Sequence, residues 1–407
     1  MIDPSFPSLH IRPAKGWIND PNGVGKVDGR WHVFFQYNPN EPRHRNVHWG
    51  HWSSADLLHW QEHSIALRPR PGEIDEIGCW SGALLIDDGV PTLCYTATPD
   101  EPANAVGTIA VGDATLENWT PATEPSAPPA GSYPDETRDP YPFEFQGKRY
   151  IAQGFGQAGA VGKVLSYDAT DLHKWRELGV LLSADDPRTG LPHADIWECP
   201  NLLPVDDMWV LFVSLLIPGT KIAQPVRWIT GDLVDSDQGP KFVPFANGVL
   251  DLGDGFYAPQ AAVDDEGRAL LWGWSWEIDR DDAWLDAHGW SGALTTPREL
   301  HVRDGQLVVE PISEFTQLRA GQLGANWSIS QAAAFEVNAE DAATLRCSDV
   351  EGGRDHIDIP AGGRVLVDGS LVELFVDGTS YTTRIYPTAE VTWQIEGAAS
   401  AVELRLD

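Results

Sequence analysis

Trp17-Ile18-Asn19-Asp20-Pro21-Asn22-Gly23 leads, by way of Gly29, into Trp31-His32-Val33-Phe34-Phe35-Gln36-Tyr37. Asp-Pro and Asn-Gly are turn-forming pairs, and the aromatic and β-branched run after Gly29 reads as a strand. Alone, such a turn is punctuation. It decides the fold because the unit recurs. Gly89 precedes Pro91-Thr92-Leu93-Cys94-Tyr95-Thr96, and Gly147 precedes Arg149-Tyr150-Ile151-Ala152. Asp207 precedes Trp209-Val210-Leu211-Phe212-Val213, and Gly267 precedes Ala269-Leu270-Leu271-Trp272-Gly273-Trp274. Successive markers lie 58 to 60 residues apart. A second marker keeps the same phase: Leu57-x-x-Trp60, Leu116-x-x-Trp119 and Leu172-x-x-Trp175. Five units of one period, each with several short strands, predict a five-bladed β-propeller from Trp17 to Val302. Solenoid repeats are usually shorter, and no helical periodicity supports repeated αβ units. Residues 1–16 are expected to close the ring as an edge strand on the last blade.

Beyond this region short alternating strands continue without the blade markers. Ala332-Ala333-Ala334-Phe335-Glu336-Val337, Leu371-Val372-Glu373-Leu374-Phe375-Val376 and Val402-Glu403-Leu404-Arg405-Leu406 are examples, and Asp377-Gly378 supplies a hairpin turn. They suit a small β-sandwich. The expected organisation is all-β: a propeller over residues 1–305 and a sandwich over residues 306–407.

Composition supports many strands and narrows the partners. Of 407 residues, 18 are Trp, 39 Gly and 31 Pro, a turn-rich and aromatic make-up. The formal charge of −32 repels nucleic acid and anionic lipid and favours a small neutral substrate. No apolar run of membrane-spanning length occurs. Four cysteines in a chain this long make no disulfide framework, and no His/Cys cluster has metal-ligand spacing. No Asp-x-Asp-x-Asp-Gly loop offers a calcium site, so neither metal nor cofactor is expected. The first residues lack a basic n-region and an apolar h-region, which points to a cytoplasmic enzyme.

Counting back from each turn gives an inner-strand position on every blade. Asp20 lies nine residues before Gly29, Asp139 eight before Gly147, and Glu198 nine before Asp207. The second and fifth blades place Trp80 and Ala258 there. Inner strands line a propeller's channel, so three carboxylates are expected to converge. Like charges held together raise one another's pKa, and a fold that tolerates them does so for chemistry. With no serine triad or cysteine nucleophile in view, glycoside hydrolysis by paired carboxylates is the reading. Asn19, Gln36 and Arg138 offer planar hydrogen-bonding groups, and Trp49, Trp80 and Trp274 flat faces, for a sugar.

Nine ordered motifs resemble glycoside hydrolase family 32, which includes invertases, inulinases, levanases and sucrose-6-phosphate hydrolases. They are Trp-Ile-Asn-Asp-Pro-Asn-Gly (17–23), Phe-Gln-Tyr-Asn-Pro (35–39), Trp-Gly-His (49–51), Trp-Ser-Gly-Ala (80–83), Arg-Asp-Pro (138–140), Glu-Cys-Pro (198–200), Gly-Phe-Tyr-Ala-Pro-Gln (255–260), Gly-Trp (273–274) and Pro-Arg-Glu-Leu (297–300). Val372-Glu373-Leu374-Phe375-Val376-Asp377-Gly378 and Arg384-Ile385-Tyr386-Pro387 are similar to the family's C-terminal sandwich. The resemblance implies Asp20 as nucleophile, Glu198 as general acid/base and Asp139 as transition-state stabiliser. It implies a fructose site lined by Asn19, Gln36, Trp80, Ser81, Arg138 and Trp274. Cys199 is expected to tune Glu198. His44 stands where many members carry a Trp beside the sugar, within Arg43-His44-Arg45. The expected activity is a retaining β-fructofuranosidase on sucrose or short fructans. The alternatives are sucrose-6-phosphate hydrolysis or fructosyl transfer, an inverting arabinan- or xylan-type hydrolase, and a non-catalytic fructan-binding propeller. For the basic segment two roles compete: an arginine forking onto a sugar phosphate, or charges that merely offset nearby acids.

Overall fold

A computed structural model of the chain describes residues 3–101, 104–128, 136–217 and 224–406. Five four-stranded antiparallel blades surround one axis. Their inner strands are Gly16–Val27, Gly78–Asp87, Glu136–Phe145, Ile196–Val205 and Tyr257–Val263, and their outer strands Gln61–Glu62, Trp119–Pro121, Arg176–Ser183, Lys241–Val249 and Gln306–Pro311. Each inner strand lies against the inner strands of both neighbours, the fifth against the first. Apolar side chains fill the wedges between blades: Trp31, Val33 and Phe35 of the first pack with Leu270 and Trp272 of the fifth.

Both sequence markers have a structural cause. In the first three blades the inner strand turns into the next through Asp28-Gly29, Asp88-Gly89 and Gln146-Gly147, each a pair of residues with positive φ. That is the hairpin turn whose twist matches paired strands, and glycine enters its second position without steric cost. In the Leu-x-x-Trp turns each indole N–H donates to the leucine carbonyl three residues earlier, at 3.2, 3.1 and 2.8 Å. The marker is therefore a repeated turn leading into the outer strand.

Two expectations about boundaries change. Residues 3–15 form no strand, because Pro4, Pro7 and Pro13 remove ladder donors. The ring closes instead through Trp290-Ser291, which pairs in parallel with Gly16-Trp17. The outer strand of the fifth blade pairs with Arg298–Arg303 across the Asp304-Gly305 turn. Blade pairing thus reaches Pro311, six residues past the expected division, which falls inside this hairpin.

The C-terminal domain is built on two long strands, Ala334–Cys347 and Thr392–Leu404, broken by a bulge at Ala339/Ala343. On one side of the bulge Ala334–Cys347 pairs with Arg364–Asp368, and on the other with His356–Ile359, so the pair serves both layers of a sandwich. Phe335, Val337, Leu345, Val365, Val372 and Trp393 form its core. The interface with the propeller is buried and mixed: Leu366, Phe375 and Leu404 share an apolar cluster with Trp31, Phe35 and Trp272, and buried charges lie beside it. Arg298 donates to Asp251 and Ser380 through Nη1 and to Glu373 and Thr382 through Nη2. Among the described residues no helix is long and apolar enough to cross a membrane.

Candidate active site

The inner strands do not run straight. Register slips at Ile18/Pro21, Trp80/Gly82, Glu198/Asn201 and Tyr257/Gln260, and opposite Gln153 in the third blade. A β-bulge bends a strand and re-aims a side chain. In three blades the bulged residue precedes proline and has positive φ: Asp139 at 60°, Cys199 at 47° and Ala258 at 44°. That region is uncommon for residues other than glycine, so these bulges hold strain.

Aligned on the residue before proline, with Ser81 beside Asp20 in the second blade, the inner strands present three levels. One holds Asp20, Ser81, Asp139, Cys199 and Ala258. The level one residue earlier holds Asn19, Trp80, Arg138, Glu198 and Tyr257. A third holds Asn22, Tyr141, Asn201 and Gln260. The expected single phase of Asp20, Asp139 and Glu198 is thus corrected: Asp20 and Asp139 share a level, and Glu198 stands one residue away. Counting from turns misses this because the first inner strand carries a second slip, between Asn22 and Gly25.

Within the first level the groups touch. Asp20 Oδ2 accepts from Ser81 Oγ at 2.5 Å and from Gln36 Nε2 at 3.0 Å. The Cys199 thiol lies 3.7 Å from Asp20 Oδ2 and 3.5 Å from Asp139 Oδ2, and its backbone N–H donates to Asp139 Oδ2 at 2.8 Å. The Asp139 N–H donates to Thr96 Oγ1 at 2.7 Å. In the second level Glu198 accepts from Arg138 Nη1 at 2.8 Å and from the Tyr257 hydroxyl at 3.0 Å. Arg138 also pairs with Glu136 and lies over the Trp80 ring. The third level closes the channel. Asn22 accepts from the Gly82 N–H, Asn201 from the Ala261 N–H, and Gln260 from the Val24 N–H. The void between Ser81, Asp139 and Cys199 on one side and these amides on the other is about 10 Å³, too small for a sugar.

The electrostatics follow from this packing. Burial pushes the Asp20 carboxyl up to about 7; Ser81 opposes the shift, and the charges of Asp139 and Glu198 add to it. Burial pushes Asp139 up to about 6, with Arg138 opposing and Glu198 adding. Burial first, then the charges of Asp139 and Asp20, hold Cys199 as a neutral thiol. Its contacts go to Asp20 and Asp139, so the expected tuning of Glu198 is corrected: the thiol lowers the pKa of the other two carboxylates.

Trp49 is also corrected. It is 0 % exposed, packs against Phe34 and Tyr95, and donates its indole N–H to the carbonyls of Cys79 and Trp80. It supports the Trp80 strand and offers no face to a sugar. Trp80 and Trp274 are half-buried. His44 is an exposed rim residue whose ring meets Trp17 at 4.9 Å and Trp80 at 5.9 Å. The surrounding protein and the Arg138 charge lower its pKa. Arg43 pairs with Asp286 at 2.7 Å and Asp282 at 3.6 Å, on the helix Asp282–His288. Asn19 Oδ1, Gln36 Oε1, Arg138 Nε and Trp274 Nε1 are buried without a hydrogen-bond partner among the described residues. Tyr257 and Thr96 were missed. The Tyr257 signal lay in the Tyr-Ala-Pro-Gln segment: aligned on Xaa-Pro rather than on turns, it matches Arg138 and Glu198.

Comparison with known proteins agrees with this architecture. The glycosyl hydrolases family 32 N-terminal domain matches residues 10–311, and the family 32 C-terminal domain residues 331–406. A sucrose-6-phosphate hydrolase of Klebsiella pneumoniae is 36 % identical over 80 % of this chain and 70 % of its own length. That of Salmonella typhimurium is 30 % identical over 93 % and 87 %. Among solved structures, a sucrose-6-phosphate hydrolase from Lactobacillus gasseri superposes with a TM-score of 0.82 at 24 % identity, covering 99 % of this chain and 93 % of that one. A Bombyx mori β-fructofuranosidase in complex with sucrose gives 0.80 at 23 %, over 99 % and 94 %. With both domain signatures in order along the chain, over a propeller that gathers three carboxylates at its axis, the protein belongs to glycoside hydrolase family 32 and is a retaining β-fructofuranosidase.

Proposed function

We propose that Asp20 is the nucleophile and Glu198 the general acid/base of this enzyme, and that its substrate is sucrose-6-phosphate. The observation that carries the roles is the stacking of two levels, one with Asp20 held by Ser81 and Gln36, the next with Glu198 held by Arg138 and Tyr257. In the first step an Asp20 oxygen bonds to the fructosyl anomeric carbon as the glycosidic C–O bond breaks, and Glu198 gives its proton to the leaving oxygen. In the second, water attacks that carbon, Glu198 takes a proton from the water, and the bond to Asp20 breaks. Glu198 must therefore alternate between acid and base. The Tyr257 hydroxyl suits this, because it lies 3.0 Å from Glu198 Oε2 and 3.1 Å from the Leu215 carbonyl. It donates to the carboxylate in one state and to the carbonyl in the other. Asp139, beside Asp20, accepts hydroxyls of the fructosyl unit. The buried unpartnered atoms of Asn19, Gln36, Arg138 and Trp274 meet the rest.

The substrate assignment is supported by the relatives at 36 % and 30 % identity, both sucrose-6-phosphate hydrolases. It is also supported by Arg45, 72 % exposed at the rim and only loosely paired, at 4.0 Å from Glu41. Free sucrose is the second reading, favoured by the engagement of Arg43 with two aspartates and by a 31 % identical raffinose invertase of Escherichia coli. The test compares kcat/KM for sucrose and sucrose-6-phosphate in the wild type and in Arg45→Ala. The phosphorylated sugar is expected to be preferred about tenfold or more, with the preference falling several-fold in the variant. A ratio near unity in both proteins returns free sucrose as the substrate.

A further inference from the structure

Arg384, on the sandwich strand Thr379–Arg384, is 2 % exposed and reaches into the propeller. Its Nη2 donates to the Ser275 carbonyl at 2.8 Å, and its Nε lies 3.2 Å from the Trp276 carbonyl and from Ser275 Oγ. It pairs with Glu277 at 3.2 Å. A guanidinium is a rigid fork of donors, so these contacts fix the backbone directly after Trp274. That tryptophan stands opposite Tyr257 in register. Glu277 in turn accepts from Ser291 Oγ at 2.9 Å and from the Gly292 N–H at 2.5 Å. Gly292 is pressed against the site: a Cβ there would lie 2.0 Å from the Ile18 carbonyl and 2.9 Å from Trp274 Nε1. Ile18 leads directly into Asn19-Asp20. One buried cation from the second domain thus bears on both the Trp274 side and the Asp20 side of the site.

We infer that Arg384 is a positioning residue for fructosyl binding, acting through the Ser275–Glu277 segment and the Gly292 turn, so that the sandwich domain is part of what shapes the active site. This rests on the reading of Trp274 and Asp20 as site residues. Lysine at this position keeps the charge beside Glu277 but lacks the rigid fork that binds Ser275 and Trp276 in fixed directions. The rival is a role in stability alone, which a buried ion pair can also have.

The experiment takes the whole chain with Arg384→Lys, and with His10→Gln as control. His10 bridges Asp368 and Glu373 at 2.8 and 2.9 Å in the same interface, and its ring is bonded to these two carboxylates rather than to the Ser275–Glu277 segment. At a temperature where both variants are folded, kcat, KM and the inhibition constant of fructose are measured. Arg384→Lys should raise KM and the fructose inhibition constant about tenfold with a smaller change in kcat. His10→Gln should lower the melting temperature and leave both constants unchanged. If Arg384→Lys does not fold, Arg384→Met combined with Glu277→Gln removes both charges and should show the same rise. Wild-type KM and fructose inhibition in either Arg384 variant overturn the inference, as does an equal rise in His10→Gln. A wild type that neither cleaves β-fructosides nor binds fructose overturns the functional reading beneath it.

Discussion

Asp20 shows how a single side chain is set by its surroundings. Burial drives its pKa to about 7 against the opposing Ser81 hydrogen bond, and the Asp139 and Glu198 charges reinforce the rise. A carboxyl whose folded pKa lies above its unfolded value binds its proton more tightly in the native state. Its contribution to stability is complete below about pH 4 and is lost as the pH climbs to about 7. Asn is a neutral isostere without that loss. Asp20→Asn should match the wild type in thermal unfolding at pH 4 and exceed it at pH 8 by on the order of 2 kcal/mol, while abolishing turnover. A variant no more stable than wild type at pH 8 contradicts the assigned burial. Asp20 and Asp139 could be found from sequence because each precedes a proline at a comparable distance from a turn. Glu198 was found for a partly wrong reason, its phase being one residue off. Tyr257 is legible only when the strands are aligned on the residue before proline, and Thr96 is not legible, because its use depends on which neighbouring blade it faces. Trp49 shows the converse: it belongs to a family motif, but the strand His48–Ser54 lies between two others and buries it.

At the scale of the element, the bulge is the device that turns a plain inner strand into a site. It lifts Asp139 and Cys199 into positive φ ahead of proline and separates their level from that of Arg138 and Glu198. The period of about sixty residues was legible because the Asp-Gly turns and the Leu-x-x-Trp turns follow local backbone rules. Ring closure was not, since Trp290-Ser291 reaches Gly16-Trp17 through a contact between the two ends of the propeller. The closing turn predicts a sharp contrast between two glycines of similar φ. Gly292, at φ 80°, has Ile18 O in the way of a Cβ, whereas Gly267, at φ 85°, has open space. Gly267→Ala should cost about 1 kcal/mol from backbone strain alone. Gly292→Ala should cost about 3 kcal/mol or more and lower kcat/KM, because the strand bearing Asp20 must move. Equal effects of the two substitutions on stability and activity would contradict ring closure through this turn.

Over the whole molecule, propeller and sandwich share buried charges as well as an apolar seam. Arg298 is fully buried between Asp251 of the propeller and Glu373 of the sandwich, and His10 joins Glu373 to Asp368. Removing one partner of such a set would leave the other charge buried and unpaired, so the paired groups tie the domains together. The small domain therefore fixes the geometry of a site formed by the large one. The overall charge of −32 bears on the partner, not on the chemistry, which resides in the few groups around the axis. The central claim is that Asp20 forms a covalent bond to the fructosyl unit while Glu198 moves protons. The most direct test incubates Glu198→Gln with a fructoside whose leaving group needs no protonation, quenches in acid, and maps the modified peptide by mass spectrometry. Slow water attack in this variant should leave one fructosyl unit on the peptide containing Asp20, and none when Asp20→Ala is added. A fructosyl unit on any other residue, or release of fructose with inverted configuration and no labelled peptide, would contradict it.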